Sequence, residues 1–179
     1  MLLLIVAGCA SPPADTVPRR TDPVVSRPSD PVPAPTPVPT PSPVGPAPRP
    51  LTPEREAVLD TARRFLGVRY QYGGSDVDGL DCSALMVAVF SEHGVSIPRT
   101  AAQQFEAGAP IPPKGLRPGD LVFFSDGRRI HHVGMYLGRW QFIHASSDRG
   151  EVRVDSLASG YFRRHYAGAR SFLDGSAAR

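Results

Sequence analysis

Gly79-Leu80-Asp81-Cys82-Ser83-Ala84-Leu85-Met86-Val87-Ala88-Val89-Phe90 is the stretch on which the reading of this chain turns. The turn-forming run Ser75-Asp76-Val77-Asp78-Gly79 leads directly into an apolar segment with helical spacing. Leu85, Val89 and Phe90 fall near one face, with Met86 and Ala88 beside them. Asp81, or a residue just before it, can cap that helix, which puts Cys82 in its first turn. There the orphan N–H groups and the positive end of the helix dipole favour a thiolate. A cysteine in mid-helix would be an inert core residue. At the helix start, Cys82 reads as a nucleophile.

Working outward, Thr52-Pro53-Glu54-Arg55-Glu56 has the marks of a helix start, with threonine at the cap, proline in the first turn and acids at the positive end. Ala57, Val58, Phe65 and Leu66 supply its apolar face, and Gly67 ends it. Residues 68–74 read as a short extended piece. The Cys82 helix stops near His93-Gly94, and Thr100 caps a short helix through Glu106. Pro110, Pro112 and Pro113 break regular structure after it. Strands are then predicted over 121–124, 130–137, 141–145 and 152–155, with Gly138-Arg139-Trp140 short enough for a hairpin loop. Residues 161–165 form a short helix or an irregular piece, and 169–173 can close the sheet. Helices first and strands afterwards signal an α+β domain, with N-terminal helices packed on an antiparallel sheet.

The ends differ from this core. Of 179 residues, 21 are proline, and most of these crowd between Ser11 and Pro53, as in Val32-Pro33-Ala34-Pro35-Thr36-Pro37. Such a stretch buries no core and forms a semi-rigid polyproline-like tether, expected over residues 10–50. At about 3.1 Å per residue it reaches on the order of 100 Å. Residues 1–9 are an apolar run closing on Val6-Ala7-Gly8-Cys9, too short to span a bilayer and similar to the lipobox of bacterial lipoproteins. That resemblance implies lipidation at Cys9 and a membrane anchor in the bacterial envelope. By resemblance to enterobacterial lipoprotein sorting, Ala10 after Cys9, in place of an aspartate, implies the outer membrane. No basic n-region precedes Leu2, so the run reads as the end of a longer signal. The folded domain is expected over residues 51–179. With Cys9 lipidated, Cys82 has no cysteine to pair with. A net charge of +3 is ordinary for a soluble chain, and no basic run interleaved with aromatics points to nucleic acid. A monomer is expected.

A cysteine nucleophile needs a base, and the base needs an orienting partner. His132 and His144 sit on the two strands of the predicted hairpin, where antiparallel pairing brings imidazoles within reach. Strand alternation sends His131 and His132 to opposite faces, one shared with Gly134 and Tyr136 and the other with Val133 and Met135. Periodicity alone leaves both choices open. His93 reads as a helix-end surface residue.

Several segments taken together resemble one known family, the NlpC family of bacterial cell-wall cysteine peptidases. They are Gly67-Val68-Arg69-Tyr70-Gln71-Tyr72-Gly73-Gly74, Asp81-Cys82-Ser83-Ala84-Leu85, Pro98-Arg99-Thr100 with Gln103, Pro118-Gly119-Asp120-Leu121, His132-Val133-Gly134-Met135-Tyr136 and Phe142-Ile143-His144-Ala145-Ser146. The resemblance implies a papain-like α+β fold and hydrolysis of amide bonds in peptidoglycan stem peptides or crosslinks, without metal or organic cofactor. It implies Cys82 as nucleophile, His132 as base and His144 as the residue orienting it. Tyr70 would line the site, Asp81 would help fix the substrate, and Ser83 would assist the backbone N–H of Cys82 at the oxyanion. Two positions depart from the family pattern: Ala84 stands where glycine is usual, and His131 replaces a small polar residue.

Three rivals share these residues. Zinc on Cys82, His132 and His144 is disfavoured because no paired ligand lies near Cys82 in sequence. A non-catalytic peptidoglycan-binding lipoprotein would keep the triad idle, and an acyl or amide transferase would pass the thioester to an amine.

Overall fold

The computed structural model describes residues 50–76 and 78–173. The lipobox-like run and almost all of the tether lie outside the described residues.

Helix α1 spans Pro53–Arg64, with Thr52 as its N-cap accepting from the Arg55 N–H and Pro53 in the first turn. A two-stranded ribbon, β1 (Ser75–Asp76) with β2 (Gly79–Leu80), delivers the chain to α2 (Cys82–Ser91). The ribbon is tight: a Cβ on Gly74 would come within 2.3 Å of the Gly79 carbonyl oxygen. Helix α3 (Ala101–Ala107) starts on its Thr100 cap as expected. Next come β3 (Ala109–Ile111), β4 (Leu121–Ser125), β5 (Ile130–Gly138), β6 (Gln141–Ser146), β7 (Glu151–Ser156), α4 (Gly160–His165) and β8 (Tyr166–Ser171).

Six strands form one antiparallel sheet in the order β3-β8-β4-β5-β6-β7. Helices before strands give the expected α+β architecture. Two details differ from the sequence reading. The last strand does not lie at an edge but is inserted between β3 and β4. Residues 109–111 form an edge strand despite Pro110, which an edge tolerates because one side of the strand needs no donor.

Alternation in β4 explains how both faces of the sheet are covered. Leu121 and Phe123 enter a core with Val58, Leu59, Leu85, Val89 and Phe90 from the helices. Val122 and Phe124 enter a second core with Tyr136, Phe142, Leu157 and Tyr166, against which Phe162 of α4 packs.

The apolar face of α1 also departs from expectation. Ala57 is exposed and Leu66 is 47% exposed, whereas Arg55 is buried in line with Val58, Leu59 and Ala62. The reason lies across the fold. Its guanidinium donates to Asp120 Oδ1 at 2.9 Å, to the Pro118 carbonyl at 2.7 Å and to the Ser171 hydroxyl at 3.2 Å. Burial raises the Asp120 pKa more than Arg55 and the Arg117 N–H lower it. A buried carboxylate without that arginine would be an uncompensated charge, so the pair ties α1 to β4 and β8.

The β5–β6 hairpin turns on Arg139 and Trp140, both with positive φ (50° and 64°). Two left-handed residues match the twist of the flanking strands. The Trp140 N–H donates to the Tyr136 hydroxyl, which helps hold a turn that lacks the usual Asn-Gly.

Candidate active site

Cys82 is the first residue of α2, and Asp81 is its N-cap, accepting from the Ala84 N–H at 2.7 Å. The cap is itself clamped. Arg99 forks onto both Asp81 oxygens at 3.0 and 2.8 Å and also donates to the Ser83 hydroxyl and to the Gly73 and Gly74 carbonyls. Ser83 in turn donates to Asp81 Oδ1 at 2.9 Å. Below them Gln104, fully buried, donates to the Ser83 and Pro98 carbonyls. The thiol therefore rides on a helix start fixed from three directions. Hydrogen bonds from Arg99, the Ala84 N–H and Ser83 hold the Asp81 carboxyl below its usual range, although burial pushes the other way.

The thiol itself is pushed up to about 11, burial being the largest cause. N–H groups of Val133, Ser83 and Cys82 itself act against this rise by facing the sulfur. Burial thus outweighs the helix start, and the resting group is a thiol, not the thiolate that placement alone favours.

His132 Nε2 lies 2.7 Å from His144 Nδ1, with the rings nearly perpendicular at 86°. His144 is buried on β6, and its Nε2 lies 2.9 Å from Asp155 Oδ2 on β7. The other Asp155 oxygen faces Arg153 at 3.2 Å. Phe142 and Phe162 wall the His144 ring at 4.8 and 5.4 Å between centroids. Burial, with help from His144 and His131, pushes His132 down to about 3. His144 is also lowered by burial, against the upward pull of Asp155.

His131 and His132 are set apart by a feature that strict alternation does not contain. Phe124 pairs with His132 but Ser125 pairs with Ile130, so β5 carries a bulge at His131. Val133 and Met135 do point into the helix-side core. His131, which alternation would put with them, sits instead beside His165 of α4 at 6.4 Å. His132 stacks toward Phe124 and joins His144.

Gly134 makes this pairing possible. A Cβ there would come 2.6 Å from Phe142 Cδ2, 2.8 Å from the Ile143 carbonyl oxygen and 3.1 Å from His144 Cβ. Tyr70, part-buried, pairs its backbone with Gly150 and Leu80. Its hydroxyl is pushed up by burial and then by the nearby charges of Cys82 and Asp81. Tyr70 and Cys82 both pack against the helix-side core, and α2 lies against the strands that carry His132 and His144. Ser83 is turned into the Asp81–Arg99 network.

Asp155, Arg99, Gln104 and Gly134 had no role assigned from sequence. Arg99 and Gly134 stand within the family-like motifs, but Asp155 is found only through the β6–β7 register, which pairs His144 with Arg153 and leaves Asp155 diagonal to it. Among the described residues no cluster of three His, Cys, Asp or Glu can hold a metal, and no helix is long and apolar enough to cross a membrane.

The sequence is 40% identical over 119 residues to a probable endopeptidase NlpC homolog of Haemophilus influenzae, a match covering 66% of this chain and 63% of that protein. It is 37% identical over 123 residues to the murein DD-endopeptidase MepS/murein LD-carboxypeptidase of Escherichia coli K12, covering 68% of this chain and 65% of that protein. The chain thus spans just under two thirds of the length of these relatives. In three dimensions it resembles an NlpC/P60 family protein of Bacillus cereus, with a TM-score of 0.64 and 30% identity over 76% of this chain and 42% of that one. The sequence model of the NlpC/P60 family matches residues 67–171, from the extended piece before the thiol helix through both histidine strands, and the chain belongs to that family.

Proposed function

We propose that this protein is a cysteine endopeptidase that hydrolyses amide bonds in the stem peptides or crosslinks of peptidoglycan, with Cys82 as nucleophile, His132 as base and His144 as its orienting partner. The observation that carries this reading is the 2.7 Å contact between His132 Nε2 and His144 Nδ1, on strands that pack against the helix Cys82 begins. Because Nε2 of His132 is committed to His144, Nδ1 is the nitrogen left to take the thiol proton. As the sulfur attacks the carbonyl carbon, that proton passes to His132 and the carbonyl electrons go to the oxygen. The N–H groups of Cys82 and Ser83, at the start of α2, are suited to hold the resulting oxyanion. His132 then protonates the departing amine, and water, deprotonated by His132, hydrolyses the thioester and restores the thiol.

The neutral resting pair fits this order. With the thiol raised and the imidazole lowered by burial, the proton moves only as the substrate carbonyl arrives to take up the charge. Tyr70 and Asp81 flank the thiol as substrate contacts, and Ser83 acts through Asp81. The murein-directed activity for which the Escherichia coli relative is named supports the substrate class. By the same reading the protein works in the cell envelope, tethered through its proline-rich segment to a lipid on Cys9.

Mass spectrometry of purified crosslinked muropeptides incubated with the protein tests the reaction. Cleavage is expected with the natural chain and a loss of at least about a thousandfold with Cys82→Ala, as for removal of a triad nucleophile. Undiminished cleavage by Cys82→Ala would sink the peptidase reading. Amine-linked products in place of hydrolysis would replace it with a transferase.

A further inference from the structure

We propose that Asp155 is a further positioning residue of the site, fixing the hydrogen-bond direction of the whole chain His144–His132 so that Nδ1 of His132 is left as the free base. The inference rests on the roles proposed for Cys82, His132 and His144. It comes from what each atom can donate. An ionised carboxylate only accepts, so the 2.9 Å contact from His144 Nε2 to Asp155 Oδ2 requires a proton on that nitrogen. Buried His144 is neutral at ordinary pH, hence its Nδ1 bears a lone pair. The 2.7 Å contact then requires His132 Nε2 to be the donor. His132, also neutral, is left with an unprotonated Nδ1.

Without an acceptor at the far end, His144 is free to carry its proton on Nδ1. His132 Nε2 would then accept, its proton would move to Nδ1, and the base would be lost. Arg153 engages the second Asp155 oxygen at 3.2 Å, which helps hold the carboxylate in its place against His144. Asp155 also stabilises positive charge on the histidine pair during proton transfer. The groups facing His144 are His132 from β5, Asp155 and Arg153 from β7, Phe142 from its own strand and Phe162 from α4. The α4 charges are Arg163, Arg164 and His165, and His165 meets Tyr161 and His131.

The full chain carrying Asp155→Ala or Asp155→Asn tests this by two readouts. Long-range proton–nitrogen NMR of the imidazoles is expected to show His144 protonated on Nε2 in the natural protein and in Asp155→Asn, whose side-chain oxygen still accepts. In Asp155→Ala a mixture of both tautomers is expected. For crosslinked muropeptide, kcat of Asp155→Ala is expected to fall by about tenfold or more at unchanged KM, the scale seen when partners that orient a ligand or base are removed. Its acid limb is expected to move to lower pH, because the imidazolium has lost its counter-charge. Asp155→Asn should retain more kcat than Asp155→Ala. The proposal is overturned if Asp155→Ala keeps His144 wholly protonated on Nε2, or if its kcat stays within about twofold of the natural enzyme. The NMR arm stands apart from catalysis, so cleavage surviving in Cys82→Ala would defeat the peptidase reading and leave the tautomer result to judge Asp155.

Discussion

At the scale of single residues, what matters most is how much charge the site keeps out of the resting protein. The helix start offers Cys82 donors and a favourable dipole, yet burial raises the thiol to about 11. The same burial holds His132 at about 3, well under its ordinary 6.5. These shifts have a consequence for stability, and its sign is fixed by which state holds the proton. Between 6.5 and about 3 the unfolded chain protonates His132 while the folded chain does not, so unfolding takes up a proton and stability falls as pH falls. The stabilisation is intact above pH 6.5 and drains below it, at most about 1.4 kcal/mol per pH unit from this group. His144 adds in the same direction. Urea unfolding monitored from pH 7 to 5, above most carboxylate titrations, is expected to show about 2 kcal/mol of loss. His132→Gln should flatten that slope. If the variant loses stability as steeply as the natural chain, burial of His132 is not the cause.

At the scale of elements, the parts of the fold legible in the sequence are those encoded locally. Thr52, Asp81 and Thr100 each cap the helix that their side chains and neighbours announce, because a cap is satisfied within three residues. The hairpin bringing His132 and His144 together was legible for the same reason. What was not legible depends on pairing between distant strands. The bulge at His131 exists only in the β4–β5 register, the place of Asp155 only in the β6–β7 register, and burial of Arg55 only through Asp120. Gly134 lies between the two cases, visible in sequence but with its reason in β6. Its missing side chain is the space occupied by Phe142 and by the Cβ of His144. Gly134→Ala is therefore expected to push β6 away from β5, costing about 1–3 kcal/mol as overpacking does. Because His144 moves with its strand, activity should fall further than stability explains, by about tenfold at a temperature where the variant is folded. Thermal unfolding and muropeptide cleavage measured side by side check this. A variant that melts lower yet cleaves normally would separate Gly134 from the histidine geometry.

At the scale of the whole molecule, the proposed substrate is insoluble and cross-linked, and the sequence before Leu51 bears on how the domain would reach it. By its composition the stretch of alternating prolines is read as a semi-rigid tether. In extended polyproline geometry such a tether would separate its two ends by on the order of 100 Å. A chain fixed at Cys9 would thus hold its thiol within a bounded shell from the membrane, raising the local concentration of the enzyme at the wall. A single acyl chain binds membranes only marginally, so firm attachment requires the multiple chains of a processed lipoprotein cysteine. Cys9→Ser is expected to move the protein from the membrane to the soluble fraction of the envelope while leaving cleavage of soluble muropeptides unchanged. Against intact sacculi in cells, the released form should act more slowly at equal abundance, because the tether no longer confines it. Fractionation with immunodetection, paired with the muropeptide assay, reads both parts. A Cys9→Ser protein that stays membrane-bound would refute the lipid anchor and leave the catalytic reading untouched.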